Sequence, residues 1–224
     1  MPLFLRTLRS AAIGLVILGL LLFVPAGTLA YWPGWAFIVV FTVMTNAIGL
    51  YLAIKDPAAL ERRVKFGATQ ETRPIQRLLI ALATLSLAAT LVVSALDWRL
   101  GWSAAPLWVV VLGDALVAGG LYLTLVVLQQ NSFAASTIET MAGQKVISTG
   151  LYGLVRHPMY LGALIMTVGM PLALGSYWGL LVLVVVVPVL MLRIGDEETM
   201  LLGELRGYAD YRQKVRFRLI PGLW

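Results

Sequence analysis

The sequence predicts an all-α integral membrane protein in which four transmembrane helices precede a C-terminal helical hairpin. Its 224 residues are 60% hydrophobic and only 12% charged, whereas soluble domains carry about 25% charged residues. A chain with so few charges cannot cover a water-facing surface, so we expect a bilayer to cover most of it. The apolar residues also form long runs, and roughly 20 helical residues cross the hydrocarbon core.

Five apolar regions predict the helices in chain order. The first four predict single crossings, at about 10–30, 35–54, 78–96 and 106–128. The fifth, at about 160–192, is too long for one crossing and is interrupted by Met170-Pro171 and by the segment Gly175–Gly179. Proline and glycine beside interfacial aromatic residues favour a turn. We therefore expect a hairpin with a short first helix, and a division into N-terminal transmembrane helices (1–128) and a C-terminal unit (129–224).

The first apolar region could also be interpreted as a cleaved signal peptide. Arg6 and Arg9 precede it, and Thr28-Leu29-Ala30 resembles a cleavage site. Its apolar run is longer than the usual core of a signal peptide. A retained helix is the better prediction.

The positions of lysine and arginine predict the topology. Of the 17 basic residues, only Arg99 lies outside 1–9, 55–77, 145–156 and 193–218. The positive-inside rule therefore predicts that both termini and these segments are cytoplasmic. Five tryptophans lie at the opposite interface, which amphipathic rings prefer: Trp32, Trp35, Trp98, Trp102 and Trp178. We expect a multi-pass protein, and the lack of a targeting signal favours a prokaryotic inner membrane.

Composition also excludes several kinds of site. The chain has no cysteine and one histidine, His157, so thiolate or multi-histidine metal sites are excluded and we expect no metal. The net charge of +6 comes from residues at the ends of apolar segments, and no basic aromatic surface is evident. We therefore expect no nucleic-acid partner.

Two polar segments flank the predicted hairpin, at 129–160 and 193–224. The hairpin should bring them together, and a cleft between loops and helix ends is a common small-molecule site. Pro158 suits the first turn of a helix. Arg193 and Glu197 are four residues apart and should share a helical face, with Glu198 beside them and Tyr208 and Tyr211 downstream.

The C-terminal part resembles a known family. The sequence TGLYGLVRHPMYLG, an arginine followed by paired glutamates, and then YxxYxxxV and RLIPG are similar to the isoprenylcysteine carboxyl methyltransferases. That family belongs to a wider group of membrane methyltransferases that includes phospholipid N-methyltransferases. The resemblance covers about 131–222, and the first four helices show no comparable motif.

The resemblance implies a cytoplasmic catalytic cap that binds S-adenosylmethionine and a lipophilic or lipidated acceptor from the membrane. Arg193 would hold the acceptor as the catalytic residue. Thr137 stands where eukaryotic relatives use glutamine, and Gln144 where they tend to carry histidine. The implied donor-site residues are Gln144, Lys145, Val146, Ile147, Tyr152, His157, Pro158, Met159, Tyr160, Glu197 and Glu198.

The chemistry of methyl transfer is compatible with these residues. The displacement at a sulfonium needs a positioned acceptor and exclusion of water, and tyrosine faces attract cations. Arg193 could bind an acceptor carboxylate through two hydrogen bonds, so O-methylation of an isoprenylcysteine-like carboxylate is the leading hypothesis. The alternatives are N-methylation of a lipid amine, a membrane reductase of related fold, and a non-catalytic scaffold or transporter.

Three features lie outside the motif. Asp114 lies within the fourth predicted helix and Asn46 within the second, and we expect a structural role for both. The segment 55–77 contains prolines and a glycine, which predict a surface loop with a short helix.

Overall fold

The computed structural model of the protein describes residues 3–64, 71, 73–133 and 144–224. All regular secondary structure in these ranges is helical, as predicted. The α-helices are α1 (Leu3–Ala26), α2 (Trp32–Lys55), α3 (Pro57–Val64), α4 (Pro74–Leu100), α5 (Leu107–Gln130), α6 (Pro158–Ala173), α7 (Leu183–Glu204) and α8 (Tyr208–Lys214), and two 3₁₀ turns cover Gly150–Gly153 and Trp178–Val182.

Five helical segments of the described chain are long and apolar enough to cross a membrane. They are Arg6–Ala26, Trp32–Lys55, Pro74–Leu100, Leu107–Gln130 and Trp178–Glu204. The protein is therefore a multi-pass integral membrane protein. Helix α6 is apolar but has only 16 residues, fewer than the roughly 20 that a crossing requires.

Two sequence predictions about the helices were inaccurate. Met170-Pro171 does not interrupt α6, since Pro171 lies within its last turn and the helix continues to Ala173. Loss of one amide hydrogen bond so near the end of a helix is tolerated, and the turn instead begins at Gly175, whose φ is +70°. Helices α1 and α4 also begin earlier than predicted, at Leu3 and Pro74. The prediction started each helix after its arginines, but an arginine in the first turns of a membrane helix can extend its charged end toward water.

Helices α5 and α6 form the most extensive helix contact in the described structure. Four glycines line it, and a methyl group added to Gly120 would press on the carbonyl of Gly162. A methyl group on Gly169 would lie 2.8 Å from the carbonyl of Gly113. Gly113 and Gly120, like Gly162 and Gly169, are seven residues apart and share one helical face. Small residues thus let the two backbones approach closely, as in many membrane helix pairs.

The two ends of the bundle differ in chemistry. At the tryptophan end, which carries Trp32, Trp98, Trp102 and Trp178, the buried Asp97 binds three donors. Its carboxylate accepts hydrogen bonds of 2.6 Å from the backbone and the hydroxyl of Ser103, and one of 2.5 Å from the hydroxyl of Ser176. The opposite, basic end contains α3, α8 and the facing ends of α4 to α7. The candidate site lies there.

Candidate functional site

The C-terminal tail holds the start of α6. The backbone amides of Arg156 and His157 donate to the carbonyls of Phe217 and Arg218, both at 2.9 Å. His157 is the N-terminal cap residue of α6, and Pro158 follows at its first turn, where its missing amide hydrogen costs nothing. These features explain why the helix starts at Pro158, as predicted. The two amide hydrogen bonds also fix the C-terminal tail against the residues that precede α6.

Glu198 links three parts of this end of the molecule. Its carboxylate accepts hydrogen bonds from Arg156 Nε at 2.6 Å and from Arg218 Nε at 3.0 Å, and it lies 3.2 Å from His157 Nε2. Its side chain is only 4% exposed. Arg156 also donates from Nη1 to the carbonyls of Val215 and Arg216. Both oxygens of Glu198 are therefore engaged in joining α7, the start of α6 and the tail.

Glu197 differs from its neighbour because one of its oxygens is free. Oε2 is buried without a hydrogen-bond partner and lies 4.0 Å from His157 Nδ1. The Tyr160 hydroxyl accepts a hydrogen bond of 3.2 Å from Arg193 Nε and lies close enough to Glu197 to interact with its charge. A buried carboxylate oxygen without a donor is costly, so this position suits a ligand that donates hydrogen bonds or carries positive charge.

Arg193 is already surrounded by partners in the structure. Its Nη2 lies 2.7 Å from Glu71 Oε1, and its Nη1 donates to Gln76 Oε1 at 2.9 Å. Arg193 is 6% exposed and Glu71 is 1% exposed. Arg193 was predicted to hold the acceptor through two hydrogen bonds, and this role stays a prediction. In the structure its guanidinium contacts Glu71, Gln76 and Tyr160.

Sequence reasoning missed Glu71 and Gln76. The segment 55–77 was predicted to be a surface loop with a short helix, and α3 is that helix. However, Glu71 and Gln76 are buried, because each binds Arg193. Gln76 and Arg73 also bind Asp196 on α7. A single acidic residue in a polar loop gives no sequence signal for such a contact.

Tyr152 is the fourth member of the polar cluster that His157, Tyr160 and Glu197 form. Its hydroxyl accepts a hydrogen bond of 3.0 Å from Asn131, and its carbonyl accepts one of 2.7 Å from the Tyr211 hydroxyl. Burial raises the pKa of Tyr152 to about 12; the Asn131 hydrogen bond opposes this rise and the Glu197 charge adds to it. Tyr152 is therefore a neutral hydroxyl at physiological pH. Because its carbonyl binds Tyr211 of α8, Tyr152 lies on the side of the site next to α8.

The other predicted donor-site residues are distributed around this cluster. Val146 packs against the apolar group formed by Met200, Leu201, Tyr208, Tyr211 and Val215. Gln144 and Ile147 are partly buried, whereas Lys145 is exposed. Pro158 is buried, and Met159 packs on the main core and contacts Arg63. Thr137 lies outside the described residues.

Asp114 and Asn46 do not belong to the cluster. Asn46 donates to the Thr42 carbonyl of its own helix at 2.8 Å. One oxygen of Asp114 is buried without a partner, within α5. Among the described residues no group of three or more His, Cys, Asp or Glu side chains could hold a metal ion.

Comparison with known proteins identifies the region that contains this cluster. None of the curated proteins is significantly similar to the chain. Residues 108–206, from the start of α5 to just beyond α7, match the model of the phospholipid methyltransferase family. This region is therefore similar to a family in the wider group of membrane methyltransferases that also contains the isoprenylcysteine carboxyl methyltransferases.

Proposed function

We propose that the protein transfers a methyl group from S-adenosylmethionine to the headgroup of a membrane lipid. The family match supports methyl transfer, and the unpartnered oxygen of Glu197 is the observation that supports a donor site here. S-adenosylmethionine supplies an electrophilic methyl group on a sulfonium, together with an ammonium and hydroxyls that can donate hydrogen bonds. Glu197 would accept those hydrogen bonds, while Tyr152 and Tyr160 would line the site with ring faces that attract a cation and His157 would lie beside them.

The other predicted donor-site residues receive different proposed roles. Glu198 would position His157 and the tail rather than contact the donor, since both its oxygens are engaged. The segment 144–147 would close the side near α8, where Val146 packs. Because the family match starts at residue 108 and α5 packs tightly on α6, we include α5 in the methyltransferase unit predicted at 129–224.

The electrostatics of Arg193 favour an amine as the methyl acceptor. Glu71 compensates the charge of Arg193 within the protein, so an acceptor carboxylate is not needed to neutralise it. A second carboxylate brought beside Glu71 and Glu197 would be repelled. An amine would instead be attracted by the charge of Glu197, whose free oxygen binds the donor, and Arg193 would act by fixing the Tyr160 hydroxyl.

The proton balance of this reaction is simple. An ammonium headgroup must first lose a proton to water, so that Glu197 stays a carboxylate during the transfer. The nitrogen lone pair then forms the new N–CH₃ bond as the S–CH₃ bond breaks, and the sulfur keeps the bonding electrons. Because the charge moves from sulfur to nitrogen, the ring faces and the Glu197 carboxylate stabilise both states.

A carboxylate acceptor is the second candidate. The order of motifs from TGLYGLVRHPMYLG to RLIPG resembles the isoprenylcysteine carboxyl methyltransferases and favours it. In this case the acceptor would have to replace Glu71 on Arg193. The carboxylate would attack the methyl carbon directly, forming a methyl ester without prior loss of a proton.

A lipophilic acceptor has an apolar path along the same helices. A groove of about 450 Å³ lies between α4 and the segment 178–185, and its lining runs from Trp102 and Trp178 at the tryptophan end to Leu82 and Val185. Gln76 and Arg193 lie further along α4 and α7 toward the basic end, so a hydrocarbon chain in the groove would extend toward the cluster. The basic residues at the end of the bundle that contains the cluster predict that this end faces the cytoplasm.

Transfer of a labelled methyl group tests the acceptor class. The purified protein would be incubated with methyl-labelled S-adenosylmethionine and vesicles of phosphatidylethanolamine, or with a farnesylated cysteine. Mild base releases volatile methanol from a methyl ester but leaves an N-methyl group in place. We expect base-stable label in the phospholipid; volatile label from the farnesylated cysteine alone would favour the carboxylate, and no transfer to either would contradict lipid methylation.

A further inference from the structure

The segment that follows α8 buries some of its apolar side chains and exposes others. Val215 and Leu219 are buried, and Val215 packs with Tyr208 and Tyr211 of α8. The exposed apolar side chains are Phe217, Ile220 and Leu223, together with Leu154 of the segment before α6. Leu223 is 76% exposed and Leu154 is 62% exposed. We call these four side chains the tail patch.

A closed loop carries most of the tail patch. The main-chain oxygen of Trp224 accepts hydrogen bonds from the amides of Arg218, Leu219 and Ile220, at 2.9, 3.1 and 3.3 Å. The ring of Trp224 also lies 4.9 Å from the guanidinium of Arg218, and Arg218 Nε donates to Glu198 at 3.0 Å. The loop 218–224 is therefore anchored to α7, and it presents its exposed side chains in a defined place.

The short helix α6 sets the depth of this loop in the membrane. The amides of Arg156 and His157, just before α6, bind the carbonyls of Phe217 and Arg218, so the loop lies level with the start of α6. Helix α6 has 16 residues and rises about 24 Å, which is less than the roughly 30 Å of the hydrocarbon core. Its other end leads to the half-exposed Trp178, at the interface that such rings prefer. Measured from that interface, the tail patch lies at the opposite boundary of the hydrocarbon.

Basic side chains accompany the tail patch. The segment 205–224 contains five basic residues and one acidic residue, Asp210. Arg212, Lys214 and Arg216 are exposed, and Arg216 directly precedes Phe217. The positive-inside rule predicts that this end faces the cytoplasm, where the leaflet carries a negative surface potential. Apolar side chains at the hydrocarbon boundary, beside basic side chains at the level of the headgroups, are typical of a surface that binds anionic lipids.

We propose that the tail patch inserts into the leaflet at the basic end of the bundle and that Arg212, Lys214 and Arg216 bind the headgroups of anionic lipids there. The depth of the patch argues for lipid as its occupant, and the excess of positive charge selects anionic lipid. The bilayer would thereby hold the loop that carries Arg218 against Glu198. The surface lies outside the proposed donor site, and no step of methyl transfer is needed to detect it.

A spin label on Leu223 tests the depth of the patch. The chain contains no cysteine, so Leu223→Cys provides one attachment point, and Asp210→Cys, at an exposed polar position of α8, provides the control. Both labelled proteins would be placed in nanodiscs of phosphatidylcholine mixed with phosphatidylglycerol. We expect the label at Leu223 to collide more with oxygen, which concentrates in lipid, than with a water-soluble nickel chelate. The label at Asp210 should show the reverse.

Hydrogen exchange tests the selectivity for anionic lipid. One lysine or arginine near an anionic leaflet strengthens binding roughly fivefold, so three should slow exchange of 215–224 at least about tenfold when phosphatidylglycerol is added to phosphatidylcholine. The triple variant Arg212→Gln/Lys214→Gln/Arg216→Gln should lose this response. The matched control is Arg6→Gln/Arg9→Gln/Lys55→Gln, which removes the same charge from exposed positions outside the tail and should respond like wild type.

Three outcomes would overturn the inference. A label at Leu223 that collides mainly with the nickel chelate would show that the patch faces water, as a surface for a soluble partner would. Equal exchange in the two kinds of nanodisc would remove the selectivity for anionic lipid. A response retained by the tail variant, or lost equally by the control variant, would show that the three tail residues do not bind the headgroups. Neither measurement uses the methyl donor, so failure here is distinguishable from failure of the proposed function.

Discussion

Glu71 and Arg193 form a buried ion pair of 2.7 Å although 122 positions separate them in the sequence. The pair connects the segment before α4 to the C-terminal half of α7. It also determines the net charge that a ligand would meet at Arg193. With Glu71 in place, the guanidinium is neutralised by the protein itself. The unpartnered oxygen of Glu197 is then the group that a ligand would find uncompensated.

Substituting Glu71→Gln should destabilise the protein and disturb the site. Removing one partner of a buried ion pair costs about 3–5 kcal/mol, because the other charge is left buried. The double variant Glu71→Gln/Arg193→Gln should recover part of this loss. Denaturant unfolding in mixed micelles of wild type, both single variants and the double variant measures the coupling.

The same variants separate the two acceptor classes. For an amine acceptor, Glu71→Gln should lower the transfer rate at least about tenfold, since an uncompensated Arg193 repels a cation. For a carboxylate acceptor, the transfer rate should stay the same or rise, because Arg193 is released from Glu71 and can bind the acceptor.

The stability measurements have their own contradicting outcome. If the losses of the two single variants simply add in the double variant, Glu71 and Arg193 do not form an ion pair.

Substituting Glu198→Gln should loosen the C-terminal tail. The amide keeps one acceptor oxygen and has no charge, so at most one of the hydrogen bonds from Arg156 and Arg218 can remain, and each such bond to a carboxylate is worth about 1.5–3 kcal/mol. We expect faster hydrogen exchange in 215–224 and weaker donor binding. Asp210→Asn, at an exposed position of α8, is the control. Donor binding lost with unchanged exchange would instead assign Glu198 to direct contact with the donor.

Substituting Gly120→Ala should weaken the contact of α5 with α6. The added methyl group meets the backbone of Gly162 and Met166, which cannot move aside as a flexible side chain could. We expect a loss of about 1–3 kcal/mol, the usual cost of overpacking. Gly119→Ala is the control, because no atom lies within 4 Å of the added methyl group there. Equal stability of the two variants would contradict the close packing.

Alkaline pH should destabilise the protein through its buried tyrosines. The pKa of Tyr152 is raised to about 12, and burial also raises the pKa values of Tyr208 and Tyr211. In the unfolded chain tyrosine ionises near pH 10. Above that pH the unfolded state loses protons that the folded state keeps, so stability is full below about pH 10 and falls as the pH rises through 12.

The contribution of Tyr152 to this pH dependence can be isolated. A shift of two units corresponds to at most about 2–3 kcal/mol. Unfolding of wild type and Tyr152→Phe between pH 9 and 11 should give a smaller slope in the variant. Identical slopes would show that Tyr152 is not buried.

The sequence predicted the helices well because their signal is local. Runs such as 106–128 are apolar over a full membrane thickness, and no tertiary contact is needed to recognise them. It also predicted that Tyr152, His157 and Glu197 meet, because a hairpin brings its two flanking segments together. Their roles toward the donor stay predictions.

The remaining features depend on contacts that sequence order does not encode. Glu197 and Glu198 are adjacent and chemically identical, and only the rotation of α7 decides which one Arg156 and Arg218 engage. Glu71 lies in a polar segment without periodicity, so its burial against Arg193 could not be foreseen. Arg63 looks like one of several basic residues of a loop until α3 positions it beside Met159.

Titration of S-adenosylmethionine and its demethylated product into the purified protein tests the central claim most directly. We predict that both bind to wild type and that Glu197→Gln weakens S-adenosylmethionine binding about tenfold or more, because a carboxylate no longer faces the donor. Asp210→Asn should bind like wild type. If neither ligand binds to wild type, or if Glu197→Gln binds both normally, the cluster of Tyr152, His157, Tyr160 and Glu197 is not the donor site.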